Sequence, residues 1–71
     1  MGENYSVIAE RQTLFKTIQL VEVECIAKHW WQIRIISKYD GEITWINNNI
    51  NDRPQRFFTF NDAKMAFNKI K

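Results

Sequence analysis

The sequence predicts an α+β fold: a three- to four-stranded antiparallel meander with one C-terminal helix packed on one face. Three observations carry that expectation. The stretch Trp30–Ile46, WWQIRIISKYDGEITWI, has a turn signal at Asp40-Gly41 between runs rich in β-branched and aromatic residues. Leu20–Ile26, LVEVECI, alternates apolar and acidic residues as a half-buried strand does. Ala63, Ala66, Phe67 and Ile70 fall at i, i+3, i+4 and i+7, the spacing of one apolar helix face.

In chain order, residues 1–12 carry no clear period. Residues 1–12 are either flexible or an added strand: Tyr5-Ser6-Val7-Ile8 reads as a short strand or an apolar flap, with residues 10–13 as a polar connection. Leu14, Ile18, Val21 and Cys25 recur at helical spacing, but the β-branched Thr17, Ile18, Val21, Val23 and Ile26 favour a long strand. Apolar parity slips between Leu20 and Val21, which predicts a β-bulge there. A loop of Ala27-Lys28-His29 then sets Val21, Val23 and Cys25 beside Trp31, Ile33 and Ile35. The same register puts Glu22 opposite Arg34 and Glu24 opposite Gln32. A loop of Tyr39-Asp40-Gly41, ending on a left-handed glycine, puts Lys38 opposite Glu42, Ile36 opposite Thr44 and Ile35 opposite Trp45. Odd-numbered residues from Val21 to Trp45 then look inward together beneath the helix.

Asparagine-rich Asn47–Asn51, followed by Asp52, Arg53 and Pro54, is a loop, because Asn and Asp bond their own backbone and proline closes the run. Gln55–Phe58 is a short edge strand. Thr59 or Asn61 caps the helix, Asp62 suits its first turn, and Lys69 and Lys71 suit its last.

Seventy-one residues, 45% hydrophobic and 14% aromatic, describe one small globular domain over residues 1–71. A core of this size supplies only about 3–5 kcal/mol. Cys25 is the sole cysteine, so no internal disulfide forms. Its place on an apolar strand face reads as a small buried hydrophobe in a reducing compartment. Neither a secretory apolar segment nor a membrane-length run occurs, and a cytoplasmic location is expected. Met1-Gly2 with Ser6 and Asn4-Tyr5-Ser6 match acylation and glycosylation patterns too short to carry weight.

Catalysis needs a constellation that the chain does not supply. His29, the one histidine, falls in an expected turn, and one His with one Cys cannot build a usual zinc site. Glu22 and Glu24 read as a charged outer face rather than an acid/base pair, and Asp40 and Asp62 have turn and cap roles. With glycine only at positions 2 and 41, no phosphate-cradling loop exists. The expectation is a non-enzymatic binding module, without metal, cofactor, membrane or small-molecule substrate.

Charge narrows the partner. Net charge is +2, but residues 28–71 hold eight basic and four acidic side chains, so an anionic partner docks on the C-terminal part. The W-x-I-R-I run Trp31–Ile35, the Tyr39–Gly41 turn and the F-x-x-A-x-x-A-F run Phe60–Phe67 resemble, over roughly Val21 to Ile70, two families. These are the AP2-type DNA-binding domains and the arm-binding domains of phage integrases. The resemblance implies DNA binding through the sheet face, with Trp30, Arg34, Lys38 and Thr44 as contacts. Arg53 and Arg56, in a basic 53–56 loop, would hold phosphates. Opposite this stands the expected register, in which Glu22 and Glu42 neutralise Arg34 and Lys38, leaving Arg53, Arg56 and Lys64 as the basic group. The Ile-, Asn- and Lys-leaning composition also suits a domain carried by a mobile element. The competing class is a protein-binding inhibitor, accessory subunit or homodimeric adaptor. It would use Ile26, Trp30, Ile36 and Ile46 on the outer apolar face, unless residues 1–16 fold across them.

Overall fold

A computed structural model of the chain describes residues 2–46 and 54–70. Strands β1 (Asn4–Gln12), β2 (Lys16–Cys25), β3 (Lys28–Ser37) and β4 (Ile43–Trp45) form one antiparallel sheet in the order β1-β2-β3-β4. Helix α1 (Phe60–Lys69) lies on one face. The asparagine-rich loop and Arg53 lie outside the described residues.

The faces differ from the expected ones because both loops differ in length. Cys25 pairs with Lys28, so Ile26-Ala27 is a two-residue connection rather than a three-residue one. Ser37 N–H donates to Glu42 O at 2.9 Å, leaving a four-residue loop, Lys38–Gly41, between β3 and β4. Gly41 is left-handed there, as expected, with φ +76°. Val21 is therefore opposite Gln32, Val23 opposite Trp30, Glu22 opposite Trp31, and Trp45 opposite Arg34. Directly paired residues share a face, so Trp45 and Ile33 point to opposite sides and the single-faced parity is wrong.

The physical reason is a sheet apolar on both sides. Beneath α1, Ile18, Leu20 and Ile33 pack with Ala63 and Phe67, and with Trp31, Ile35, Ile46, Phe57, Ala66 and Ile70 around them. On the other face Val21, Val23 and Trp30 form a second cluster with Cys25 and Trp45. Leu20 and Val21 are both buried because β2 is covered twice. That double burial is what broke the apolar alternation, and no bulge is needed on β2. The bulge lies on its partner β1, where the ladder slips between Val7 opposite Val21 and Ala9 opposite Leu20.

The N-terminal segment is not a separate flap: β1 joins the sheet beside β2 as an edge strand, and from it Tyr5 reaches Trp45 over the outer face. The other edge is shared by β4 and by Phe57, which exchanges both backbone hydrogen bonds with Trp31. That bridge is what becomes of the expected Gln55–Phe58 strand. Thr59 caps α1, its Oγ1 accepting from Asp62 N–H at 3.3 Å. At the far end Arg11, on β1, donates to the carbonyls of Phe67, Asn68 and Ile70, and its guanidinium lies 5.2 Å from the Phe67 ring centre. A cation from the sheet thus satisfies carbonyls that a helix end leaves open, and it opposes the negative end of the dipole. No helix among the described residues is long and apolar enough to cross a membrane.

Candidate nucleic-acid interface

Alternation along each strand selects what the face away from α1 presents. From β1 come Tyr5 and Val7; from β2, Gln19, Val21 and Val23; from β3, Trp30, Gln32, Arg34 and Ile36; and from β4, Ile43 and Trp45. Its floor is Val21, Val23 and Trp30, with Trp30 only 1% exposed. Indole Nε1 of Trp30 donates to Gln32 Oε1 at 2.8 Å, which satisfies a buried donor two residues along the same strand face.

Two cations sit above this floor, each over a ring. Arg56, from the segment leading into α1, places its guanidinium 4.1 Å from the Trp30 ring centre. Arg34 lies 5.4 Å from the Trp45 ring centre, and its Nε donates to Gln19 Oε1 at 2.8 Å. Stacked guanidinium groups keep their charge and lose little freedom when they meet an anion. Tyr5 reaches Trp45 with 6.2 Å between ring centres, and half of Tyr5 (51%) is exposed. Its hydroxyl donates to the Glu3 carboxylate, a bond that holds the proton on and raises the phenol above its ordinary value; the nearby Arg56 opposes this weakly.

Electrostatics on this face also depart from expectation. Glu22 and Glu24 belong to the α1 side, where Glu22 Oε2 lies 3.0 Å from His29 Nε2. They do not neutralise Arg34. Lys38 is not opposite Glu42; its Nζ donates to Thr13 O at 2.7 Å and its N–H to Phe15 O, tying the two loops at that end together. Among the described residues, the carboxylates on or beside the outer face are Glu3, engaged by Tyr5, and Glu10, which accepts from Gln19 and Gln12. Those two amide bonds hold Glu10 below the usual carboxylate range. Both acids lie on or next to the β1 edge. Among the described residues neither Arg34 nor Arg56 has a carboxylate within ion-pairing distance.

Of the residues proposed from sequence, Trp30, Arg34 and Arg56 therefore converge on one face. Thr44 does not join them: it pairs with Ile35 and shares the α1 side. Lys64 projects from α1, 5.8 Å from the Phe60 ring centre, also on that side. Trp30 is a buried support for Arg56 rather than an exposed contact. The four residues of the alternative patch separate as well: Ile26 is exposed in the β2–β3 turn, Trp30 is buried, Ile36 is half-buried, and Ile46 packs beneath α1. Sequence reasoning missed Tyr5, which lacked a periodic context, and Trp45, which the wrong loop length had turned inward.

A smaller group occupies the α1 side beyond the helix start. His29 stacks on Trp31 with ring centres 4.6 Å apart, and donor atoms of Glu22, Glu24 and His29 lie within 4.8 Å of one another. His29 is thus paired across the strands rather than an isolated turn residue. Comparison with protein-family models, curated proteins and solved structures finds no significant match to this chain.

Proposed function

We propose that this protein is a non-enzymatic module that binds nucleic acid on the sheet face turned away from α1. One observation carries the reading: Arg34 and Arg56 stand on the same face, each stacked over a tryptophan, with the nearby carboxylates kept to the β1 edge. Phosphate neutralisation supplies much of the affinity for nucleic acid, so arginines that no carboxylate among the described residues pairs are the required ingredient. Aromatic rings beside them add contacts that any base can use. A free, half-buried Cys25 accords with a cytoplasmic setting.

Fluorescence anisotropy with labelled mixed-sequence oligonucleotides tests this. Two phosphate contacts give a slope of log K against log salt of about −1.5. Arg34→Gln combined with Arg56→Gln should abolish most of that slope while circular dichroism stays unchanged. Absence of binding at low salt would remove the proposal.

A second reading, protein binding, is favoured by a different observation from the one expected. Leu14 and Phe15 in the β1–β2 turn and Tyr39 in the β3–β4 loop are largely exposed, and Lys38 joins the two loops. Exposed apolar side chains on adjoining loops form contact surfaces. Sedimentation of the parent and of Phe15→Ser with Tyr39→Ser separates self-association through this end from a monomer.

A further inference from the structure

We infer that Glu22, Glu24 and His29 form a binding site for a divalent transition-metal ion of the zinc type, on the α1 side of the sheet and apart from the arginine-bearing face. The register builds it. Glu22 and Glu24 are two residues apart on β2, so they share a side, and Glu24 is directly opposite His29 on β3. The ligand atoms that the three residues offer all lie within 4.8 Å of one another, and Glu22 Oε2 is 3.0 Å from His29 Nε2. Ligands held about 2.1 Å from a tetrahedral ion stand about 3.4 Å apart. Closing the widest pair from 4.8 Å to that spacing takes a movement of at most about 1.4 Å, which rotation of a glutamate side chain supplies.

The donor set, and not acidity alone, selects the ion. Imidazole nitrogen suits zinc, copper and nickel, whereas calcium and magnesium take oxygen ligands. One histidine and one cysteine do not make a usual zinc site, but one histidine with two carboxylates leaves a coordination position for water, as open zinc sites do. The expected register had dispersed this group by setting Glu22 opposite Arg34. His29 is also held for the role. Its ring stacks on Trp31 with centres 4.6 Å apart, and the backbone bridge to Phe57 fixes Trp31 in turn. A ring supported from behind keeps its nitrogen aimed at the carboxylates. With an ion bound, Nε2 presents its lone pair and the ring proton resides on Nδ1.

Charge and access agree with this. Among the described residues no lysine or arginine lies within ion-pairing distance of Glu22 or Glu24. Their partner His29 offsets one negative charge, and only when protonated; a dication offsets both. The side chains of His29 and Glu22 are 47% and 28% exposed, and an open groove lined by Gly2, Asn4, Glu24 and His29 lies against them. Lys28 also lines the groove, but it is directly opposite Cys25, and alternation turns it to the other face.

Isothermal titration calorimetry of the parent protein with Zn²⁺, Mg²⁺ and Ca²⁺, in a buffer that does not chelate, tests the site. One Zn²⁺ should bind per chain, at least about tenfold more tightly than Mg²⁺ or Ca²⁺. His29→Gln and Glu24→Gln should each weaken Zn²⁺ binding by about ten- to a hundredfold. Glu42→Gln, a carboxylate outside the group, should leave it unchanged. All three positions are exposed, and circular dichroism checks that the variants fold. Zn²⁺ should also move the Trp31 indole resonance, through the stacked His29 ring, and leave that of Trp45 in place. Absence of saturable Zn²⁺ binding, binding that neither variant weakens, or equal affinity for Ca²⁺ would overturn the inference, and each would leave the nucleic-acid reading untouched.

Discussion

Arg11→Ala is the perturbation that tests how the sheet holds the helix. In the parent, the guanidinium donates to the carbonyls of Phe67 and Asn68 in the last turn of α1 and of the capping Ile70, and lies over the Phe67 ring. A cation at a partly buried helix C-terminus contributes about 0.3–2 kcal/mol. Stacking on Phe67 adds about 0.5–1 kcal/mol. Water replaces part of the hydrogen bonding, so the expected loss is roughly 1.5–2.5 kcal/mol. In a domain this small each kcal/mol moves Tm by about 4–8 °C, which predicts a fall of roughly 6–20 °C. Thermal and urea unfolding followed by far-ultraviolet circular dichroism measure it. Arg11→Lys keeps the charge but loses the fork, and should recover about half of the loss. An Arg11→Ala protein within about 0.5 kcal/mol of the parent would refute the reasoning, because the clamp would then be unimportant to α1.

Three further outcomes follow from the same structure. Trp30→Ala empties the second cluster and should cost about 3–5 kcal/mol, enough to unfold most of the protein at 25 °C; a stable, cooperatively unfolding variant would mean that the outer face has no core. Thr59→Ala removes the cap of α1 and should cost about 1 kcal/mol by urea titration, with no loss expected if Asn61 takes over the role. Asp40 accepts the Glu42 N–H within the β3–β4 loop, a bond that holds its carboxyl below the ordinary value of 3.8. Its contribution is therefore present above pH 3.8 and is lost as pH falls through the lower folded value. The Glu42 amide resonance should titrate with a midpoint under 3.8, and a midpoint at or above it would contradict the assignment.

How much of this was legible in the chain depends on what each signal specifies. The helix was readable because Thr59, Asp62, Ala63, Phe67 and Lys69 agree on start, face and end, so local and tertiary preferences coincide. The strands were readable from their β-branched and aromatic content. Their register was not. Parity can choose a register only when one face is polar, and here Ile18, Leu20 and Ile33 oppose Val21, Val23 and Trp30 through the sheet. Two clean three-residue loops looked consistent only because a single core had been assumed. The slip at Leu20-Val21 was real, yet it marked double burial, and the bulge it suggested lies across the ladder on β1. Of the candidate site, Arg34 and Arg56 were visible as basic side chains beside aromatics. Tyr5 was not, since its partner Trp45 lies forty residues away and only the fold brings the two together.

The central claim is that the surface opposite α1 is where nucleic acid lands. Titrating ¹⁵N-labelled protein with mixed-sequence oligonucleotides and mapping amide and indole shifts tests this at residue level. The largest changes should fall on Tyr5, Arg34, Trp45 and Arg56, with α1 quiet. Shifts concentrated on Phe60–Lys69 or on Leu14, Phe15 and Tyr39 would contradict it.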